Sequence, residues 1–234
     1  NCNPLEINIH RISGLSERFV YFNDDMFVLD KLDEKRFFLK GLPRDILAFN
    51  AIFIDSISHI RLNDILIVNK YFKKMKFIKK HFLKLFNPKY GLDQIRSFLL
   101  LPWPQITGFY DPHQPQPFLK KTFEELWELE KNVLRQTTAS KFRSINDVNQ
   151  YLFRYWQLMK GDFIPISFSD SHTVPVKEMR DIDKTCELIK SRKYSLLCIN
   201  DEADKLTDEE FEIAKNKLNS AFEFILPDKS SFEL

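Results

Sequence analysis

Glycine is scarce, with 5 in 234 residues. Neither G-x-G-x-x-G nor G-x-x-x-x-G-K-[ST] occurs, which excludes the glycine-rich phosphate loops of dinucleotide-binding and P-loop proteins. Cysteine is scarce too. Cys2, Cys186 and Cys198 form no C-x-x-C pair and no even disulfide framework. That points to a reducing compartment and away from structural zinc. A charge excess is also missing: 35 Lys plus Arg against 33 Asp plus Glu leave a net +2. A chain that coats nucleic acid carries a strong basic excess, so no nucleic-acid partner is expected. No apolar run reaches the roughly 18–20 residues of a membrane span. No signal-peptide pattern opens the chain.

What is present fits a folded globular chain, with 44% apolar and 29% charged residues, and phenylalanine is abundant at 23. Asn3 and Pro4 suit a helix start, and Leu5, Ile9 and Ile12 recur at helical spacing up to Ser13-Gly14. Arg18 to Phe22 has the composition of a buried strand and stops at Asn23-Asp24-Asp25. Residues 36–58 read as short strands and turns. Residues 60–101 read as helical, with Tyr71, Phe72, Met75, Ile78, Phe82, Leu85 and Phe86 on one face. Five prolines between 102 and 117 exclude regular structure there, and a helix is expected over 118–134. Ser144-x-x-Asp147 resembles a capping box opening the next helix. An extended stretch at 163–176, a polar helix at 178–191 and a strand from Ser195 follow. That strand ends, like the first, in Asn-Asp, at Asn200-Asp201. Thr207-x-x-Glu210 caps a last helix that ends before Pro227. This order predicts an α/β chain: a partial Rossmann-like catalytic core with a mostly helical insertion, in one contiguous unit.

Two apolar strands ending in Asn-Asp would bring carboxylates together if the strands were sheet neighbours. Such hard oxygen ligands suit Mg²⁺ or Mn²⁺, and the plainer alternative is that they are turn residues. His113 lies in the rigid Asp111-Pro112-His113-Gln114-Pro115 loop and would serve as general base or phosphate donor, or simply as a surface histidine. Arg143, just before the Ser144–Asp147 cap, would bind an anion at a helix N-terminus, or sit in a solvated salt bridge. Residues 70–89 hold eight lysines and no acid. They form a solvated face, a peripheral contact with an anionic membrane, or a polyanion site. The acids balancing them include seven between Asp201 and Glu212.

Taken together, these residues resemble the Stealth family. The matching runs are Ile9-His10-Arg11-Ile12 with Phe19 to Phe27, Pro112-His113-x-Pro115, Phe142-Arg143-Ser144-x-x-Asp147-Val148 with Tyr151 to Tyr155, and Leu197-Cys198-Ile199-Asn200-Asp201. The tail from Pro227 to Leu234 is similar as well. Each run is weak alone, but together and in this order they are specific. Residues 1–58 then hold the end of the second family block and the early strands, and 59–101 the basic helical insertion. Residues 102–160 hold the third block, and 161–234 the fourth block with the C-terminal helix. An earlier block and the first half of the second do not appear, and the chain begins with Asn1. The expectation is therefore a C-terminal portion of a longer enzyme that is inactive alone. The long insertions of the animal members are missing, so the bacterial capsule branch fits better.

The resemblance implies transfer of a sugar-1-phosphate from a nucleotide sugar, such as a UDP-N-acetylhexosamine, to a hydroxyl of a polysaccharide acceptor. In that reading His113 and Arg143 are catalytic, with Asp147 orienting Arg143. Asp24, Asp25 and Asp201 hold Mg²⁺ or Mn²⁺, while His10, Arg11, Asn23 and Asn200 bind substrate. Those groups are expected to meet around one pocket, in an enzyme that is cytoplasmic or peripheral on the inner face of a bacterial membrane. The rival readings are a metal-dependent glycosyltransferase and an inactive fragment that only binds glycan or membrane.

Overall fold

A computed structural model describes residues 1–202 and 206–231. In chain order the strands are β1 (Arg18–Tyr21), β2 (Met26–Val28), β3 (Phe38–Leu39), β4 (Leu42–Asp45), β5 (Gln116–Leu119), β6 (Ile164–Pro165), β7 (Ser171–Val176) and β8 (Leu196–Asp201). The helices before the proline-rich loop are α1 (Asn3–Glu6), α2 (Ser58–Tyr71), α3 (Lys74–Leu85) and α4 (Asp93–Leu99). After it come α5 (Lys120–Leu129), α6 (Lys131–Ala139), α7 (Gln150–Lys160), α8 (Met179–Ser191) and α9 (Asp208–Ile225). The chain is mixed α/β with small sheets. It divides into two compact units.

Unit 1 comprises residues 1–21, 34–111 and 116–167. β1 pairs antiparallel with β5, and β3, β4 and β6 form a second small sheet. Many of the phenylalanines are used here: Phe123 stacks on Phe153 with ring centroids 3.9 Å apart and meets Phe118 edge-on at 5.3 Å. Against this core lies α7, from which Leu152 to Met159 are all buried. Asn149 caps its start by accepting from the Tyr151 N–H. Gly161 ends it in the left-handed region at φ +75°. A Cβ on Gly161 would also run into the His81 ring, so any larger residue there must displace that side chain.

Within α7, Arg154 is fully buried. Its guanidinium grips Asp45 with two bonds, Nε to Oδ2 at 2.8 Å and Nη2 to Oδ1 at 3.0 Å. Nη1 donates to Asp111 Oδ1 at 2.7 Å, and Tyr155 donates its hydroxyl to the other Asp111 oxygen.

Unit 2 comprises residues 22–33, 112–115 and 168–234, apart from Ala203–Lys205 and Phe232–Leu234. Its sheet runs β2-β8-β7. β2 is antiparallel to β8, while β7 and β8 are parallel and joined through α8, which makes a βαβ unit. Leu29, Val174, Val176, Ile182, Leu197 and Ile225 are among its core residues. The Thr207–Glu210 capping box forms as the sequence predicts and opens α9. Two expectations reach beyond the described residues: the similarity of the tail over Phe232–Leu234, and Asp204 in the acidic run.

Several expectations need correction. The predicted helix over 118–134 is strand β5 followed by two helices that break at Glu130. There the carboxylate is taken by Lys70 Nζ at 2.5 Å and the Tyr71 hydroxyl at 2.7 Å. Gln116-Pro117 is regular after all, because a two-stranded sheet leaves one side of each strand unpaired, where a proline lacking N–H costs nothing. The first helix spans only Asn3–Glu6, and Asn3 lies inside it rather than capping it.

Ser144-x-x-Asp147 closes a turn, with Asp147 accepting from the Ser144 N–H at 2.9 Å, and does not open a helix. Arg143 is therefore not at a helix N-terminus. The helical stretch from 70 breaks at Phe72-Lys73, and the buried face of α3 is Lys74, Phe77, Ile78 and Leu85, with Met75 and Phe82 outward. Nor is the lysine run uniformly solvated. Lys74 donates to the carbonyls of Leu100 and Trp103, and Lys84 to those of Gly161 and Phe163.

Candidate functional site

The site is assembled in unit 2 around β8. The sheet edge expected for β1 belongs instead to β2, the strand after the Asn23-Asp24-Asp25 turn. Met26 pairs with Cys198, and the Ile199 N–H donates to the Asp25 carbonyl at 2.9 Å, so the acid turn lies beside the end of β8. On the other side of β8, Thr173 of β7 pairs with Cys198. The Thr173 hydroxyl donates to the His113 carbonyl at 3.2 Å. Gln114 Nε2 donates to the His172 carbonyl at 2.9 Å and to Thr173 Oγ1 at 3.0 Å. Residues Pro112–Pro115 are thereby fastened to β7, and a tight turn, Gln114 N–H to Pro112 carbonyl at 2.9 Å, sets the direction of the intervening His113.

His113 Nε2 lies 2.9 Å from Asp25 Oδ2. The buried Cys198 thiol donates to the same oxygen at 3.3 Å. Burial first, and then the adjacent Asp25 charge, push the Cys198 thiol far up from its ordinary range, so it stays protonated as a donor. Among the described residues the other carboxylate oxygen, Asp25 Oδ1, is buried with no hydrogen-bond partner. Asp24, Asp25, Asn200 and Asp201 line a cavity of about 590 Å³, together with Phe27, Ile182, Ile199, Phe211 and Phe222 among others. Its volume is in the range of small-molecule sites. Asn200 also donates to Glu202 Oε1 at 2.7 Å. Asn23 closes the acid turn by accepting the Met26 N–H at 3.2 Å.

The donor set can be tested for a divalent cation. Asp25 Oδ1 is an orphaned oxygen, and the acids beside it at the cavity are hard ligands, so the residues fit Mg²⁺ or Mn²⁺. Asp25, His113 and Cys198 also place one ligand atom each within 4.8 Å of one another. In the structure this set is joined by two hydrogen bonds that converge on Asp25 Oδ2, one from the imidazole and one from the thiol.

The remaining expected site residues belong to unit 1. Arg143 is exposed. Asp147 is buried, and its carboxylate accepts from Ser140 Oγ at 2.7 Å and the Ser144 N–H. Among the described residues it makes no ion pair with Arg143, so the expected orienting contact is absent. His10 packs beside Phe123 and Trp127, at 5.7 and 5.9 Å between centroids. Burial, helped by Arg11 and Lys120, pushes its pKa down to about 4. Arg11 lies over the Trp127 ring at 4.1 Å. Sequence reading missed Cys198 and Gln114. Cys198 could have been found from its place in the strand leading to Asn200-Asp201. Gln114 carried no signal beyond its neighbour His113.

Asp25 is thus held against the His113 imidazole, and Asp24, Asp25, Asn200 and Asp201 line the cavity beside the end of a parallel strand, the part of an α/β sheet where ligands bind. No family model matches the chain. Curated relatives do. The chain is 38% identical over its whole length to a capsular polysaccharide phosphotransferase, WcwK, of Streptococcus pneumoniae, covering 69% of that protein. It is 37% identical to the exopolysaccharide phosphotransferase cps2G of Lactiplantibacillus plantarum, covering 68% of it. It is 38% identical to the receptor polysaccharide phosphotransferase WefC of Streptococcus gordonii, covering 69%. The chain belongs to this family of capsular and exopolysaccharide phosphotransferases, in agreement with the Stealth resemblance.

Proposed function

We propose that the protein transfers a sugar-1-phosphate from a nucleotide sugar to a hydroxyl of a polysaccharide acceptor in capsule or exopolysaccharide synthesis. The acceptor oxygen attacks the phosphorus that carries the sugar. The pyrophosphate P–O bond breaks, and a nucleoside monophosphate leaves with the bridging oxygen. The sugar C1–O bond is untouched, so its anomeric configuration is kept. The observation that carries this reading is the Asp25–His113 contact. With Nε2–H donated to Asp25, the imidazole keeps its Nδ1 lone pair, and that nitrogen takes the acceptor's proton. Asp25 holds the tautomer and stabilises the imidazolium that forms. Cys198 and Gln114 hold Asp25 and the histidine loop in place.

Asp24, Asp25 and Asp201 would hold a divalent cation, with Asn200 beside them. When bound it supplies charge neutralisation for the diphosphate. Asn23 shapes the acid turn. Within unit 1 the exposed Arg143 is the side chain we assign to phosphate. We read β7–α8–β8 as part of a Rossmann-like core, since parallel strands joined by a helix are its repeating unit. A reducing compartment suits the site, because disulfide formation would remove the Cys198 donor. No helix of the described residues is long and apolar enough to cross a membrane.

Product analysis on the full-length protein tests the proposal. A nucleoside monophosphate and a phosphodiester-linked sugar are expected. A nucleoside diphosphate with a glycosidic product would make it a glycosyltransferase and end this reading. Treatment with EDTA is expected to abolish turnover, with Mg²⁺ or Mn²⁺ restoring it. Full activity in EDTA would remove the cation.

A further inference from the structure

We infer that the segment from α3 through α4 to Trp103, in unit 1, docks on an anionic lipid surface. Helix α3 turns Lys74, Phe77, Ile78 and Leu85 inward. Its exposed residues are Met75, Lys76, Lys79 and Lys80 before a break in helical geometry at His81, and Phe82 and Leu83 after it, so apolar side chains and lysines are interleaved on the solvent side. Beyond the following turn, Leu92, Ile95, Phe98, Leu99 and Trp103 are exposed as well.

The segment is tied at both ends. Lys74 Nζ donates to the carbonyls of Leu100 and, at 2.7 Å, Trp103, and the Tyr90 hydroxyl donates to the Lys84 carbonyl at 2.7 Å. The outward apolar side chains are therefore carried on a structured hairpin and not on a frayed segment.

Two observations choose the occupant. The first is charge: among the described residues no acid pairs with Lys73, Lys76, Lys79 or Lys80, and no acid lies anywhere between 70 and 89. Unneutralised lysines among apolar side chains match an anionic headgroup layer, where their stems lie along the apolar boundary and their ammonium groups reach phosphate. The second is shape. Leu83 and Leu92 are 79% and 81% exposed, so they project from the surface. Projecting aliphatic side chains with a nearby tryptophan suit insertion into a fluid interface, whereas a protein partner would need pockets cut to receive them. The inference is independent of the site chemistry in unit 2.

Vesicle flotation of the 234-residue chain tests this, with phosphatidylcholine vesicles alone and with about one third phosphatidylglycerol. Binding to the anionic vesicles and little to the neutral ones is expected. The combined Lys73→Gln, Lys76→Gln, Lys79→Gln and Lys80→Gln variant should lower the anionic partition by at least about 10-fold. Leu83→Gln with Leu92→Gln should also lower it, with unchanged circular dichroism and tryptophan fluorescence in both variants. Equal binding to the two vesicle types, or binding unchanged in either variant, would overturn the inference. A dimer in sedimentation velocity that Leu83→Gln with Leu92→Gln dissolves, without flotation of the parent chain, would assign the face to a second copy instead.

Discussion

Replacing Arg154 by methionine should destabilise unit 1 severely. The side chain is fully buried, and the carboxylates it serves are 3% and 12% exposed. Methionine fills much of the volume but leaves Asp45 and Asp111 facing each other without a cation. Asp45 keeps the Gln116 amide at 3.1 Å and the Ile46 N–H at 2.7 Å. Asp111 keeps the Tyr155 hydroxyl. Breaking one buried ion pair by removing a single partner costs about 3–5 kcal/mol. Two carboxylates share this loss, and their remaining donors offset part of it, so a loss of about 4 kcal/mol is expected.

The pH dependence gives a second signature. Burial already pushes the Asp111 carboxyl up to about 6 against the pull of Arg154, and removing the guanidinium pushes it further. A carboxyl whose folded pKa lies above its unfolded value binds more protons in the folded state, so stability falls as pH rises through that interval. The Arg154→Met penalty should therefore be larger at pH 7.5 than at pH 5.5. Arg154→Lys should recover only part of the loss, because an ammonium cannot make the two-bonded grip on Asp45. Urea unfolding followed by tryptophan fluorescence is the assay, since Trp103, Trp127 and Trp156 all lie in unit 1. A loss under about 1 kcal/mol, or a penalty that grows on acidification, would refute the argument.

In the full-length protein, His113→Gln and Asp25→Asn should each lower kcat by at least about 10²-fold, and near-parental turnover in both would remove the base assignment. Arg143→Ala should cost about 10²-fold in kcat/KM if that side chain binds phosphate. The His10 pKa of about 4 lies below the ordinary 6.5, so its contribution to stability is full above pH 6.5 and lost progressively as pH falls towards 4. The shift corresponds to about 3 kcal/mol, which half-exposure of the ring reduces to about 1–2 kcal/mol. His10→Phe, which keeps the ring between Phe123 and Trp127, should flatten that part of the profile in urea unfolding at pH 7 and pH 5. Gly161→Ala should cost about 1–2 kcal/mol from the left-handed backbone and the His81 ring, and less in a His81→Ala background, as thermal melts would show.

Local chemistry carried much of this protein in readable form. The Thr207–Glu210 box, the strand into Asn200-Asp201, the helices of the basic segment and the His113 loop all follow from capping, β-branching, periodicity and proline, which act over a few residues. The family resemblance rested on the same short runs. What tertiary structure decided is which of those runs meet. β1 pairs with β5, and it is β2 that brings the acid turn beside β8. Asp25 meets His113 across 88 residues of chain and Cys198 across 173. Arg154 selects Asp45 and Asp111, and Lys74 folds inward to bind carbonyls while its neighbours stay in water. Sequence spacing determines which side chains share a helix face or a strand face. Partners far apart in the chain are chosen by sheet pairing and by the need to satisfy buried charge, and both depend on the whole fold.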